Sequence, residues 1–294
     1  MATGKVALVL EGGGFRGQFT TGALDVLMEN GLDQFGAVFG VSAGAIAAAD
    51  LKSRQIGRGC RDVLAFRDDR RFMSLFSLAT TGSITGNEFL YHEVQDELDP
   101  FDYATFNANP MRMFAVATDV DFGTAAYLEV SELPRDIDMV QASASLPALS
   151  EAVEIDGSRY LDGGFGDSVP VEAALGLEGA ATIEGYEPAE RAVVVLTRER
   201  GFVKGPYQLQ AISDRRYAST PYFVECMHTR PERYMAQRER IWELECEGRV
   251  LVICPDRPIE TSVTEANGQR LLELYLLGRK ETERQLDAIR AFLG

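Results

Sequence analysis

The sequence predicts an α/β fold, a three-layer arrangement with a central, mainly parallel sheet flanked by helices on both faces. Three observations predict it. The first fifty residues read strand, helix, strand, helix, which requires parallel strands and a right-handed crossover. Later apolar runs, Met111 to Thr118 with a partner at Ala125 to Val130, and Ala192 to Thr197, read as further strands. The chain of 294 residues is 46% hydrophobic and 25% charged, enough for a large core in one or two domains.

The first strand, Val6 to Leu10, ends abruptly in Gly12, Gly13 and Gly14, and a helix follows from Gly17 to about Glu29. Bare N–H groups in such a turn, with the helix N-terminus behind them, form a cradle for negative oxygen. A second strand, Phe35 to Gly40, runs through Val41 and Ser42 into an alanine-rich helix, Ala43 to about Lys52. Residues 52–71 are locally basic, and Arg54, Arg58 and Arg61 would share a helical face. That face is expected to be solvated; the sharper alternative is a patch that steers an anionic head group. Phe72 to Phe76 reads either as a cover over a site or as a core segment.

Residues 86–98 look helical, as do Ile137 to Ser145, closed by Pro147. Val153 to Leu161 resembles a hairpin around Asp156-Gly157, a favoured type I′ pair. A helix is expected after Ser168, with Ser168 as N-cap and Pro170 in the first turn. The last third reads as helices, over 205–245 and 264–293, around one strand, Arg249 to Cys254. Charge also changes character near residue 198. Up to residue 197 there are 13 basic and 30 acidic residues, and beyond it 16 and 15.

The net charge of −16 repels nucleic acid and anionic bilayers at long range. Cys60, Cys226, Cys246 and Cys254 form no CxxC pair, and with only His92 and His228 no zinc pattern arises. Reduced, structural thiols are expected. No apolar run approaches the roughly 18 residues of a membrane span. The short apolar run after Lys5 is no signal-peptide core, so a cytoplasmic protein is expected.

The chemistry is concentrated at Gly40-Val41-Ser42-Ala43-Gly44, a G-x-S-x-G sequence at a strand-to-helix turn. A serine nucleophile on such a turn holds its hydroxyl clear of the backbone, and residues two before and two after are pressed against neighbouring chain. The N–H of Ala43 can donate to an oxyanion. A rival reading starts from Gly12-x-Gly14-x-x-Gly17, which formally matches a dinucleotide fingerprint. That fingerprint needs a carboxylate ending the second strand, where Ser42 stands instead; Asp33 falls before the strand. No Gly-Lys-Ser/Thr follows for a P-loop. The serine needs a base. His228 fits the order Ser, acid, His but lies in a polar helical stretch, and His92 looks like an ordinary helix residue. Asp162, after a strand-like run and before Gly163-Gly164, is the better candidate, since in a dry site a carboxylate need only accept the proton as attack proceeds.

Four segments in this order resemble the patatin-like phospholipases: Gly12-Gly13-Gly14-Phe15-Arg16-Gly17, Gly40-Val41-Ser42-Ala43-Gly44, Ala142-Ser143-Ala144-Ser145-Leu146-Pro147, and Asp162-Gly163-Gly164 with Asp167 and Pro170. The layout is similar to bacterial cytoplasmic members with a helical C-terminal extension. Ser168 departs from the asparagine of many members. The resemblance covers residues 5 to about 175 and implies a catalytic domain over 1–200 with a mainly helical extension, 201–294, packed on it. It implies a Ser42–Asp162 dyad without histidine and an oxyanion loop at Gly12, Gly13, Gly14 and Arg16. Elbow residues Gly40, Ala43 and Gly44 complete the site, with no metal or cofactor. The implied activity is hydrolysis of lipid esters (phospholipid, lysophospholipid or acylglycerol), with transient contact to a membrane surface and no nucleic-acid partner. A non-catalytic scaffold and a nucleotide-binding module using Gly12–Gly17 remain the alternatives.

Overall fold

The computed structural model describes residues 5–261, 265 and 267–294. From the N-terminus the elements are β1 (Val6–Leu10), α1 (Gly17–Glu29), β2 (Ala37–Val41), α2 (Ala43–Lys52), α3 (Arg58–Phe66) and α4 (Leu75–Thr81). A π-helical stretch, Phe89–Leu98, leads to α5 (Tyr103–Ala108), β3 (Arg112–Asp119), β4 (Ala125–Glu129) and α6 (Ile137–Ser143). Then come β5 (Val153–Ile155), β6 (Ser158–Asp162), α7 (Val171–Leu175) and β7 (Arg191–Val195). The chain ends with α8 (Gln210–Arg216), α9 (Pro221–Cys246), β8 (Val250–Ile253), α10 (Gly268–Glu283) and α11 (Leu286–Leu293). The helical stretch expected from residue 264 is thus two helices; residues 264 and 266 lie outside the described residues.

The strands form one eight-stranded sheet in the order β5-β6-β3-β2-β1-β7-β8, with β4 paired to β3. Pairing is parallel from β3 through β2, β1 and β7 to β8. It is antiparallel where β3 meets β4 and β6, and between β5 and β6. Alternation along the strands supplies both faces. Leu8, Leu10, Val38 and Val193 pack against Phe19 and Leu27 of α1, Ala48 of α2 and Leu277 of α10. Val9, Phe39, Val116 and Val194 face the other way, onto Val171 and Leu175 of α7 and Tyr234 and Leu244 of α9. The expected three-layer α/β architecture is therefore present. Residues beyond 200 add β8 to the sheet, α9 to one face, and α10 and α11 to the other.

Two local expectations hold and two are corrected. Asp156 and Gly157 both have positive φ (51° and 80°), as a type I′ hairpin turn requires. Phe72 is a core residue, stacked on Phe15 at 6.4 Å, whereas Phe76 is exposed. Ser168 does not cap α7: its hydroxyl turns back to donate to the Gly164 carbonyl at 2.7 Å, and the helix starts at Val171. The basic face of residues 52–71 is not simply solvated. Arg58 is 2% exposed and lies between Asp50 (3.2 Å) and Asp62 (3.1 Å). Burial of so large a cation is tolerated because its charge is matched and its Nη2 donates to Gln95 and to the Asp99 carbonyl, although its Nε is buried without a partner.

Candidate active site

The register of β3 brings the site together. β4 occupies one edge of β3 from Phe114 to Thr118, so the opposite edge must serve both β2 and β6. β2 pairs along that edge up to Val41 opposite Val116, and β6 takes over with Asp162 opposite Ala117. Because β2 runs parallel to β3 and β6 antiparallel, their C-terminal ends meet head on. Ser42, one residue past Val41, is thereby set beside Asp162.

Ser42 has φ 55° and ψ −123°, a conformation that non-glycine residues avoid and that sharp nucleophile turns impose. The flanking glycines allow the turn sterically. A Cβ on Gly40 would stand 2.5 Å from the Ala45 Cα, and one on Gly44 would stand 2.5 Å from the Leu10 carbonyl oxygen. The Ser42 N–H donates to the Ser143 hydroxyl at 2.9 Å, and that hydroxyl donates to the Val116 carbonyl at 2.6 Å. Ser143 therefore ties the elbow to α6 and β3 at once.

Asp162 is buried and equally well fixed. Its N–H donates to the Ser145 carbonyl at 2.7 Å, and its carbonyl accepts from the Thr118 hydroxyl at 2.8 Å. Gly163 passes so close to β3 that a Cβ would stand 1.9 Å from the Val116 oxygen. Oδ1 accepts from the Gly164 N–H at 2.8 Å, while Oδ2 is buried with no hydrogen-bond partner. Burial raises the Asp162 pKa; the Ser42 hydroxyl, Arg230, the Gly164 N–H and Lys204 each oppose the rise. The Ser42 hydroxyl is thus near enough to act on the carboxylate, although the pair makes no aligned hydrogen bond at rest. Apo geometries of catalytic pairs are commonly loose in this way.

The glycine loop lies against the elbow. A Cβ on Gly12 would fall 2.8 Å from the Val41 oxygen and 2.9 Å from the Ser42 Cβ, and one on Gly17 would fall 2.8 Å from the Ala43 Cβ. Beneath the loop, the buried Glu11 accepts from the Thr197 N–H and the Tyr234 hydroxyl, both at 2.6 Å. The Thr197 hydroxyl donates to the Gly12 carbonyl at 2.9 Å, and Phe15 is anchored among Phe72, Phe89 and Leu271. Within the described residues the N–H groups of Gly13, Gly14 and Ala43 make no hydrogen bond. Arg16 follows the loop, its pKa lowered to about 10 by burial and by Arg198, against the opposing effect of Glu11.

The competing candidates stand elsewhere. His228 is on α9, exposed, and bonded to Asp214 at 3.1 Å; His92 is on the π-helical stretch. Asp33 lies before β2 and is paired with Arg54 at 2.9 Å. Among the described residues no group of three or more His, Cys, Asp or Glu is disposed to hold a metal. Within those residues no helix is long and apolar enough to cross a membrane.

The family model described as patatin-like phospholipase matches residues 8–175, more than half of the chain. The chain belongs to the patatin-like phospholipase family. A second model, a domain of unknown function (DUF6363), matches residues 220–294. The chain is 30% identical over 193 residues to "Uncharacterized protein YjjU" of Escherichia coli K12, covering 61% of this chain and 51% of that protein. It is 26% identical over 179 residues to "Uncharacterized NTE family protein Rv1063c" of Mycobacterium tuberculosis H37Rv, covering 61% of this chain and 48% of that one. This patatin-like chain therefore spans about half the length of the curated relatives it matches. Among solved structures, VipD from Legionella pneumophila shares the fold, with a TM-score of 0.52 and 13% identity over 97% of this chain and 67% of VipD.

Around this patatin-like core the sequence leaves several functional neighbours unmarked. Glu11, Thr197 and Tyr234 support the loop, and Arg198, Lys204 and Arg230 stand around it. Glu11 alone carried a signal: a carboxylate ending a fully apolar strand must find buried partners. The other five come from two stretches, 197–204 and 230–234 of α9, that only tertiary packing brings to the loop.

Proposed function

We propose that the chain is a serine acyl hydrolase that cleaves carboxylic esters of lipids through Ser42 and Asp162. The observation that carries this reading is the strained Ser42 beside a buried Asp162 whose Oδ2 lacks a partner. Ser42 Oγ adds to the ester carbonyl carbon as its proton passes to Oδ2. The carbonyl oxygen becomes negative and is held by the Gly13 and Gly14 N–H groups, with Gly12 shaping the loop, Ala43 N–H adjoining and Arg16 adding positive charge. The adduct collapses, the bond to the alcohol oxygen breaks, and Asp162 protonates that oxygen. Water then attacks the acyl-Ser42 ester and gives its proton to Asp162. The fatty acid departs as Ser42 recovers a proton. Arg230 and Lys204 favour the ionised form of Asp162 that the first step requires.

Hydrolysis of p-nitrophenyl esters and of a lipid panel tests this. Ser42→Ala is expected to lower kcat roughly 10⁴-fold or more and Asp162→Asn roughly 10³-fold. His228→Ala should retain activity, because His228 is occupied by Asp214 on the outer side of α9. Full activity in the Ser42 variant would overturn the reading, and loss confined to the His228 variant would replace the dyad by a triad.

A further inference from the structure

Four cations stand around the dyad with no carboxylate partner. Among the described residues Arg16, Arg198, Lys204 and Arg230 make no ion pair within 4 Å, although the chain carries 45 acidic residues against 29 basic ones. Their environments differ from an ordinary charged surface. The Nε atoms of Arg16, Arg198 and Arg230 are buried without a hydrogen-bond partner. Arg230 Nη2 and Asp162 Oδ1 flank the same point beside Gly164, each 3.0 Å from where its Cβ would be, without reaching ion-pair distance. Arg16 Nε lies 3.3 Å from the corresponding point at Gly13. Lys204 Nζ stands 3.9 Å from the centre of the Tyr234 ring, and the Tyr234 hydroxyl is bonded to Glu11. Arg198 is held over Phe202 and donates to the Ile259 carbonyl, which leaves its Nε side unused.

We propose that Arg198, Lys204 and Arg230, together with Arg16, form a subsite for the phosphate of a lipid head group that adjoins the scissile ester. The inference rests on the acyl-hydrolase reading above. Partly buried cations without a carboxylate partner cost stability, and a ligand that supplies the missing charge removes that cost. Only Glu11 and Asp162 oppose this group of cations, and both Glu11 oxygens are engaged by Thr197 and Tyr234. Phosphate presents several acceptor oxygens in the fork geometry that arginine matches, so one phosphate can engage more than one guanidinium. Mutual repulsion has the same origin. Burial, and then Arg230, Arg16 and Arg198, hold Lys204 well below its ordinary pKa, and burial lowers that of Arg230. A bound phosphate would favour the charged form of both. In a chain of net charge −16 the cluster also provides the local positive potential that an anionic substrate needs. Arg230 gives the segment 220–294, matched by a domain of unknown function, a stated place in the site.

The test is calorimetric titration of the full chain carrying Ser42→Ala, so that binding is read without turnover. The titrants are an ether-linked lysophosphatidate, the neutral ether-linked monoacylglycerol of the same chain length, and inorganic phosphate. The lysophosphatidate is expected to bind at least about 10-fold tighter than the neutral ether. In the same background Arg198→Gln and Lys204→Met should each remove most of that preference, and Lys204→Arg should restore it. Thermal melts establish that each variant is folded. Equal affinity for the two ethers, or a preference that survives both substitutions, would overturn the subsite. Phosphate binding as tightly as the lysophosphatidate would assign the cluster to a free anion and overturn the head-group reading. If the wild type cleaves no ester while the anion preference stands, the hydrolase reading alone fails.

Discussion

Two clusters of arginine and lysine in this molecule are opposite in kind. The cluster in residues 52–71 is dense in sequence and neutralised in space. Arg58 sits between Asp50 and Asp62, Arg61 grips Asp99 at 2.7 and 3.0 Å, and Arg71 reaches Asp69 and Glu93. The cluster at the dyad is scattered over residues 16, 198, 204 and 230 and has no carboxylate partners among the described residues. The first holds helices together; the second leaves positive charge without carboxylate partners beside Ser42 and Asp162. Local density of positive residues is thus a poor guide to positive potential, because carboxylates of neighbouring helices arrive from elsewhere in the chain.

The strongest way to break this contrast is Arg58→Met. It leaves Asp50 and Asp62 buried without their counter-charge and is expected to cost about 3–5 kcal/mol in urea denaturation. A cost below about 1 kcal/mol would mean that the 52–71 cluster does not hold α2 and α3 as described.

A second test uses pH. Burial raises the Asp162 pKa and Arg230 lowers it, so removing Arg230 must raise it further. The base must be ionised to accept the Ser42 proton. The acidic limb of kcat/KM should therefore lie above the ordinary carboxylate range and move to higher pH in Arg230→Met. Arg58→Met should leave the limb in place, since Arg58 is not among the groups acting on Asp162. A limb that stays fixed in Arg230→Met would remove Arg230 from the electrostatics of the dyad.

What the sequence could tell about these clusters follows from the range of the forces involved. The elbow and the loop were legible because their constraints are steric and local: Gly40, Gly44 and Gly12 touch backbone that lies within the same strand-turn-helix units or beside them. Asp162 was legible for the same reason, through Gly163 pressed on β3. The three-layer sheet followed from apolar runs and glycine turns. Ser143 was visible only as part of a small-residue segment, since its two hydrogen bonds, from the Ser42 N–H and to the Val116 carbonyl, depend on how α6 meets β3. The burial of Arg58 was not legible, because helical periodicity assigns a charged face to solvent and does not know which carboxylates oppose it. Nor was the Arg198, Lys204 and Arg230 group, which no spacing connects. The N-cap expected at Ser168 failed because its hydroxyl found Gly164 first.

A third test separates stability from function at the dyad. Lys204→Met removes a cation that neighbouring cations repel, together with its ammonium contact over the Tyr234 ring. Stability is expected to rise by about 0.5–2 kcal/mol while turnover of an anionic ester falls, the trade expected where a site carries strain. A variant that is both less stable and unchanged in turnover would make Lys204 a structural residue.

The smallest expected effect lies at the rim of the neutralised cluster. Arg61 makes a bidentate contact with Asp99, yet its side chain is 54% exposed. Water screens such a pair, and ordering two long side chains offsets much of the attraction. Arg61→Gln should therefore cost under about 1 kcal/mol, and the difference should shrink further in 0.5 M salt. Arg58→Met, whose partners are shielded from water, should keep most of its cost under the same conditions. Equal costs for the two substitutions, with equal salt dependence, would mean that the stabilising role belongs to the whole 52–71 segment. A small, salt-sensitive effect at Arg61 beside a large, salt-resistant one at Arg58 places it in the single buried guanidinium between Asp50 and Asp62.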